Sequence, residues 1–75
     1  MEKLLEILNT LRPNVDFSNH TKLIEDDILD SFDIVTIVGE INFQFDVEIG
    51  VEDLLPENFN SAEAMMALIS RLQND

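Results

Sequence analysis

The sequence predicts an all-α fold, a small bundle of three main helices and one short helix with a long loop between the first and second helices. Apolar residues recur at helical spacing in three segments of the chain. Gly50 and two prolines, Pro13 and Pro56, interrupt the chain around these segments, and residues that can cap helices precede the second and third. Since 75 residues are close to the smallest chain that can bury a core, we expect one domain over 1–75.

The first helix is predicted over residues 2–11, where leucines form one stripe and Ile7 lies beside it. The leucines of this stripe are Leu4, Leu5, Leu8 and Leu11. Pro13 ends the helix, because the residue before a proline is pushed out of the α conformation. The segment 14–30 has no clear period, and its apolar residues are expected to hold a long loop against the bundle. These residues are Val15, Phe17, Leu23, Ile24, Ile28 and Leu29.

The second helix is predicted from Ser31 to about Phe43, and the side chain of Asp30 can cap its start. Asp33 lies in the first turn, where a negative charge interacts favourably with the helix dipole. Apolar residues at three-residue steps predict the buried stripe, namely Phe32, Val35, Val38 and Ile41. Many residues here are β-branched, so a strand is the competing interpretation, but the caps and the spacing favour a helix.

A short turn of helix is predicted over 52–55, after Gly50, and Pro56 closes it. Asn60 or Ser61 then caps the last helix. The apolar face of the last helix consists of Ala64, Met65, Leu68, Ile69 and Leu72. Taking the segments together, we expect the following side chains to stabilise the bundle most: Leu8, Phe32, Val35, Ile41, Phe59, Leu68 and Ile69.

The charge balance excludes some classes of function. Sixteen acidic residues against four basic ones give a net charge of −12, whereas nucleic-acid binding needs a basic surface. We therefore expect no nucleic-acid partner, and instead partner proteins that carry basic patches. The chain has no cysteine, and the acids between Glu25 and Asp30 lack the spacing of a calcium loop, so no metal site is predicted.

Signals for membranes and export are also missing from the sequence. No apolar run approaches the roughly 18 residues that a membrane-spanning helix needs. The first residues, Met1, Glu2 and Lys3, are not typical of a signal peptide. We therefore expect a cytoplasmic monomer without a membrane span.

Ser31 is the residue most indicative of chemistry, because it lies between two acids at the predicted start of a helix. A serine nucleophile needs a base within hydrogen-bond reach, and the only histidine, His20, lies in a polar loop segment. We therefore predict no catalytic residue and no enzyme activity. Ser31 is instead interpreted as a site to which another enzyme attaches a group, although a serine that only caps the helix is an alternative.

The segment Leu29-Asp30-Ser31-Phe32-Asp33-Ile34-Val35 resembles the Asp-Ser-Leu signature of acyl and peptidyl carrier proteins. Phe45-Asp46-Val47-Glu48-Ile49 is similar to the Phe-x-Ile/Val-x-Ile stretch that closes the second helix in this family. Asn58-Phe59-Asn60-Ser61 resembles the start of its last helix. The resemblance covers essentially the whole chain, and it implies a single acyl-carrier-like domain.

The resemblance implies that Ser31 receives a 4′-phosphopantetheine arm from coenzyme A through a phosphopantetheinyl transferase. The arm would carry acyl or aminoacyl intermediates as thioesters, in fatty-acid, polyketide or nonribosomal-peptide-type biosynthesis. The run from Leu23 to Phe32 is also similar to D-alanine carriers of cell-wall polymer modification, which leaves the subfamily open. An acidic interaction module that is never modified is the further alternative.

The family docks its partner enzymes through the second helix, which often carries glutamates on its exposed side. Here only Asp33 and Glu40 keep that charge within the helix, which indicates partners that contact a more apolar surface. The partner enzymes, including the transferase, are therefore expected to contact the following residues: Asp30, Asp33, Ile34, Ile37 and Glu40.

Overall fold

The computed structural model describes residues 1–74 and confirms a small all-helical bundle with no strand in that part of the chain. Helix α1 spans Glu2–Leu11, α2 spans Ser31–Phe45, α3 spans Pro56–Phe59 and α4 spans Ala62–Asn74. A single 3₁₀ turn, Val51–Asp53, lies between α2 and α3. The predicted bounds of α1 and the predicted start of α2 are confirmed, and the competing strand over α2 is wrong.

Helices α1 and α2 pack side by side and run antiparallel, as polar contacts at both ends indicate. At one end the Lys3 ammonium donates to the Gln44 carbonyl at 3.2 Å and lies 5.3 Å from the centre of the Phe45 ring. At the other end the Arg12 guanidinium contacts the Asp33 carboxylate. Arg12 follows the last residue of α1, and Asp33 is in the first turn of α2, so the start of α2 is tied to the end of α1.

The long loop is held against the bundle by buried side chains, as predicted. Phe17, Leu23 and Leu29 are buried in the same core as the helices. Asn60 holds the loop as well, because its carbonyl accepts from the Leu23 N–H at 2.9 Å and its side-chain oxygen accepts from the Ile24 N–H at 3.0 Å.

Ser61, rather than Asn60, caps α4. The Ser61 hydroxyl oxygen accepts from the backbone N–H of Ala64 at 3.0 Å, which satisfies one of the free N–H groups at the start of the helix. Asn60 binds the long loop instead. Of the two residues predicted to cap the last helix, the cap is therefore Ser61.

Two members of the predicted core lie on the wrong face of α2. Phe32 is 82% exposed and Val35 is 70% exposed, whereas Ile37 and Ile41 are fully buried. Three residues turn an α-helix through about 300°, so a stripe at three-residue steps drifts by about 60° at each step. Over the three steps from Phe32 to Ile41 the stripe therefore crosses to the opposite face, and the predictions of Phe32 and Val35 as core residues are wrong.

The segment after α2 also differs from the prediction. In place of the predicted helical turn over 52–55 there is the 3₁₀ turn Val51–Asp53. At its start the Gly50 N–H donates to the Asp53 carboxylate at 3.2 Å. Pro56 does not close a helix but opens α3, because proline is well suited to the first helical position, where no N–H is needed.

The remaining residues expected to stabilise the bundle most are buried, and so are several residues outside that list. Leu8, Ile41, Phe59, Leu68 and Ile69 are at most 2% exposed. The buried residues that were not predicted as main core members include Leu4, Leu23, Ile37 and Met65. Within residues 1–74 no helix is both long enough and apolar enough to cross a membrane.

Candidate functional site

Ser31 is the first residue of α2, and its side chain is exposed. The residues on either side of it fix the start of the helix through a reciprocal capping box. The Asp30 carboxylate accepts from the Asp33 N–H at 2.9 Å, and the Asp33 carboxylate accepts from the Asp30 N–H at 3.1 Å. The predicted cap at Asp30 is confirmed, and it holds the backbone on both sides of Ser31.

Asp33 contributes a second contact beneath this helix start. One terminal nitrogen of Arg12 donates to both oxygens of the Asp33 carboxylate, at 2.9 and 2.7 Å. The Asp33 side chain is 8% exposed and that of Arg12 is 43% exposed, so water reaches this ion pair only from the arginine side. Asp33 therefore stabilises the start of the helix, and its buried, paired carboxylate gives no support to its predicted role in partner docking.

The acid that remains at the surface of this site is Asp30. The hydrogen bond from the Asp33 N–H is the largest of several effects that lower the pKa of Asp30 below its ordinary value of 3.8. Asp30 is thus ionised beside Ser31 at neutral pH. Since Asp30 occupies the N–H of Asp33, that N–H is not free to bind a phosphate at Ser31.

Replacing Asp30 by asparagine is expected to flatten the acid side of the stability profile. A carboxylate whose pKa is lowered in the folded state stabilises the protein above 3.8, and this contribution is lost as the pH falls through the folded pKa. Asparagine caps a helix without titrating. Thermal midpoints measured from about pH 2 to 7 should therefore fall less steeply for Asp30→Asn than for the wild type.

The matched control for this measurement is Glu48→Gln, because Glu48 is an exposed acid that follows α2 and lies outside both capping contacts. Its profile should keep the wild-type slope. Parallel acid limbs for Asp30→Asn and the wild type would contradict a stabilising role of the ionised Asp30 carboxylate.

An apolar groove lies beside Ser31. Its volume is about 370 Å³, and Ser31, Asp27 and Asp30 are among its lining residues. The apolar lining comes from the long loop, α2 and the segment around α3, through Ile24, Leu29, Ile34, Leu54, Leu55 and Phe59. The groove is of the size of a small-molecule site, and most of its lining is apolar.

The predicted docking residues do not form one surface. Asp30 and Ile34 line the groove beside Ser31, and Ile34 is half-buried there. Glu40 is exposed but lies nine residues along α2, about 14 Å from Ser31 at the rise of an α-helix. Ile37 is fully buried against the core, which gives no support to the prediction that it contacts partners.

Leu54 and Leu55 are functional candidates that the sequence analysis assigned only to a short helix. They lie just after the 3₁₀ turn, and each is almost half exposed at the groove. Two adjacent leucines between an acid and a proline, outside any amphipathic pattern, are the signal that could have indicated a surface role.

The site brings an exposed serine hydroxyl together with an apolar groove. Ser31 is exposed. His20, the histidine that could have served as a base, instead contacts Asp26 within the long loop, where its Nε2 atom lies 3.3 Å from the carboxylate. A group attached to Ser31 would begin at a rigid helix start and next to an apolar groove. No family model, curated protein or solved structure matches this chain.

Proposed function

We propose that this chain is a carrier protein, and that Ser31 receives a 4′-phosphopantetheine arm from coenzyme A. The observation that carries the proposal is an exposed serine at the capped start of a 15-residue helix, directly beside an apolar groove. The resemblance of residues 29–35 to the carrier-protein signature supports it. The arm supplies the thiol that a chain without cysteine lacks.

In the proposed reaction the Ser31 oxygen attacks the phosphorus of coenzyme A that bears the pantetheine group. A bond forms between that oxygen and phosphorus, and the bond from phosphorus to 3′,5′-ADP breaks. The proton of the hydroxyl passes to a base of the phosphopantetheinyl transferase, so this chain needs no base of its own. Carriage of a thioester then requires partner enzymes, and the chain is not itself an enzyme.

The capping contacts suit Ser31 to this role. A transferase has to bring the hydroxyl into line with a phosphorus atom, and a small error in position slows such a reaction strongly. The reciprocal contacts of Asp30 and Asp33, together with Arg12, reduce the freedom of the backbone at Ser31. Attachment therefore needs little ordering of this chain in the complex.

The lining of the groove supports an apolar acyl group as the cargo. An alkyl chain gains free energy in proportion to the apolar area that it removes from water. Leu54 and Leu55, each almost half exposed, offer such area beside Ser31, whereas a D-alanyl group, which is small and charged, would gain little from it. We therefore favour acyl carriage, of the fatty-acid or polyketide type, over D-alanyl carriage. The corresponding location is the cytoplasm, and the acting form is a monomer.

The experiment is to incubate the protein with a phosphopantetheinyl transferase and coenzyme A and to measure the intact mass. We expect the addition of one arm, which peptide mapping assigns to Ser31, and no addition to a folded Ser31→Ala variant. Ser18, Ser61 and Ser70 are the remaining serines and serve as internal controls. No addition to the folded wild-type chain, or an arm on one of these controls, would contradict the proposal.

The same reaction tests the cargo when octanoyl-coenzyme A or acetyl-coenzyme A replaces coenzyme A. NMR shifts at Leu54, Leu55 and Phe59 should then change more with the octanoyl group than with the acetyl group, because only the longer chain reaches along the groove. Equal changes with both groups would contradict binding of the acyl chain in the groove.

A further inference from the structure

Helix α2 carries a second apolar face that takes no part in the core. Phe32 and Phe43 are 82% and 85% exposed, and Val35 lies between them at 70%. With Gly39 these residues follow one line along the helix, at positions whose angular spread is about 80°. We call these four residues the exposed stripe. Large apolar side chains that are exposed and contiguous mark a surface that binds another molecule.

The surroundings of the exposed stripe are poor in charge. Among the exposed residues of α2 only Glu40 is charged, because the carboxylate of Asp33 is buried against Arg12. The stripe itself has no ionisable side chain. A partner held by opposite charges would find few groups here to pair with, so the free energy of binding has to come from apolar contact.

The exposed stripe is complementary to itself under a two-fold axis. Phe32 lies three residues before Val35, and Gly39 lies four residues before Phe43. Two copies of α2 can lie antiparallel with Phe32 opposite Phe43 of the second copy. Val35 then falls about 1.5 Å along the axis from Gly39 of that copy. Such a contact uses the same surface twice and closes as a dimer.

Gly39 gives this contact its shape. A Cβ atom built on Gly39 would meet nothing within 4 Å, so the packing within one copy does not require glycine there. Glycine in the middle of a helix lowers stability, because it loses more conformational freedom on folding than other residues do. The missing side chain leaves a notch between Val35 and Phe43. Val35 of a second copy fits this notch, and the two helices can then approach closely.

The area of the exposed stripe fits a weak dimer rather than a permanent one. An aromatic side chain buries about 150–250 Å², so the two phenylalanines and the valine of each copy bury about 450 Å². The total for two copies is about 900 Å², at the lower end of specific interfaces. Two chains of net charge −12 also repel each other, and salt screens this repulsion. We therefore expect association at high protein concentration, and more of it at high salt.

We propose that the exposed stripe binds a second copy of this chain in an antiparallel, two-fold symmetric dimer. Phe32 of each copy contacts Phe43 of the other, and Val35 enters the notch at Gly39. Ser31 directly precedes Phe32, so the dimer also restricts access to Ser31. The consequence, which rests on the proposed function, is that the monomer is the form that receives the arm.

The first test is sedimentation equilibrium of the full chain, whose intact mass shows no attached group, from about 10 μM to about 1 mM. We expect the average mass to rise from that of one chain towards that of two. The dissociation constant should fall several-fold when sodium chloride is raised from about 0.05 M to about 0.5 M, because screening relieves the repulsion. An interface held by opposite charges would respond in the opposite direction.

An NMR measurement tests the antiparallel arrangement. Phe32 and Phe43 are eleven residues apart on α2, about 16 Å at the rise of an α-helix. This distance is too long for a nuclear Overhauser effect between the two rings within one copy. A concentrated mixture of labelled and unlabelled chains should nevertheless show such an effect, and it should arise only between copies.

Two variants separate this dimer from general apolar adhesion. Val35→Asp should raise the dissociation constant about ten-fold or more, because it places a charge inside the contact. Val51→Asp should leave it nearly unchanged, since it makes the same change of net charge at an 84% exposed valine on the 3₁₀ turn. Gly39→Leu adds apolar surface but fills the notch, so it should weaken the dimer, whereas it would strengthen general adhesion. Its thermal midpoint should not fall, because leucine is a better helix former than glycine.

Several results would overturn the proposal. A chain that stays monomeric at the highest concentration and salt would leave the exposed stripe to a different protein. A dimer that salt weakens, equal losses from Val35→Asp and Val51→Asp, or a stronger dimer of Gly39→Leu would contradict it as well. None of these measurements needs an arm on Ser31, so failure here leaves attachment untouched, and failure of attachment leaves the dimer untouched.

Discussion

Replacing Ile37 by alanine is expected to lower the free energy of unfolding by about 3 kcal/mol. Ile37 is fully buried and belongs to the core cluster that also contains Leu8 of α1 and Leu68 of α4. The substitution removes apolar atoms from the core and leaves a cavity that the surrounding helices fill only in part. A domain of this size has a total stability of about 4–11 kcal/mol, so the loss is a large fraction of it. Urea unfolding followed by circular dichroism measures it.

The matched control is Val35→Ala, two residues earlier on the same helix. Val35 is 70% exposed, so truncation removes little packing, and alanine is the better helix former. We expect a change of at most about 0.5 kcal/mol, in the stabilising direction. Comparable losses for Ile37→Ala and Val35→Ala would mean that the two faces of α2 are assigned wrongly.

Replacing Asp33 by alanine is expected to lower the free energy of unfolding by about 2 kcal/mol. The substitution removes the acceptor for the Asp30 N–H and the carboxylate that Arg12 contacts at 2.7 Å. Water replaces part of what Arg12 loses, since that side chain is 43% exposed, so the expected loss is smaller than for a fully buried ion pair. Asp33→Asn should cost less than Asp33→Ala, because an amide oxygen can still accept from the Asp30 N–H.

A double-mutant cycle with Arg12→Ala and Asp33→Ala isolates the ion pair from the capping contact. We expect the two losses to be less than additive, with a coupling of about 1 kcal/mol. Additive losses would show that the contact between Arg12 and Asp33 contributes nothing to stability. The buried Asp33 carboxylate is not placed to contact a transferase. A change in the rate of arm attachment to Asp33→Asn would therefore reflect a change in the conformation of the helix start.

Local signals in the sequence were sufficient for the three long helices and for the start of α2. The leucine spacing before Pro13 predicted α1 at its observed bounds, and Asp30 before Ser31 predicted the cap that the structure contains. These features depend on hydrogen bonds and side chains within a few residues of each other. The exposure of Ser31 is expected for the same reason, because polar side chains at the start of a helix usually lie at the surface.

The buried face of α2 depended on contacts between distant segments. Apolar residues surround this helix, so its sequence alone is compatible with burial of either side. Packing against α1 selects the side of Ile37 and Ile41, and the contact of Arg12 with Asp33 is consistent with that orientation. The exposure of Phe32, Val35 and Phe43 is the consequence, because the opposite side of α2 is then turned towards solvent.

The apolar groove beside Ser31 likewise required the folded chain. Its lining comes from residues as far apart in sequence as Ile24 and Phe59, and hydrogen bonds to Asn60 hold the long loop that contributes Ile24. Leu54 and Leu55 reach the groove because they lie between a 3₁₀ turn and Pro56. The spacing of apolar residues does not predict a 3₁₀ turn. Spacing along a chain indicates which face of an element is apolar, whereas a groove depends on how several elements meet.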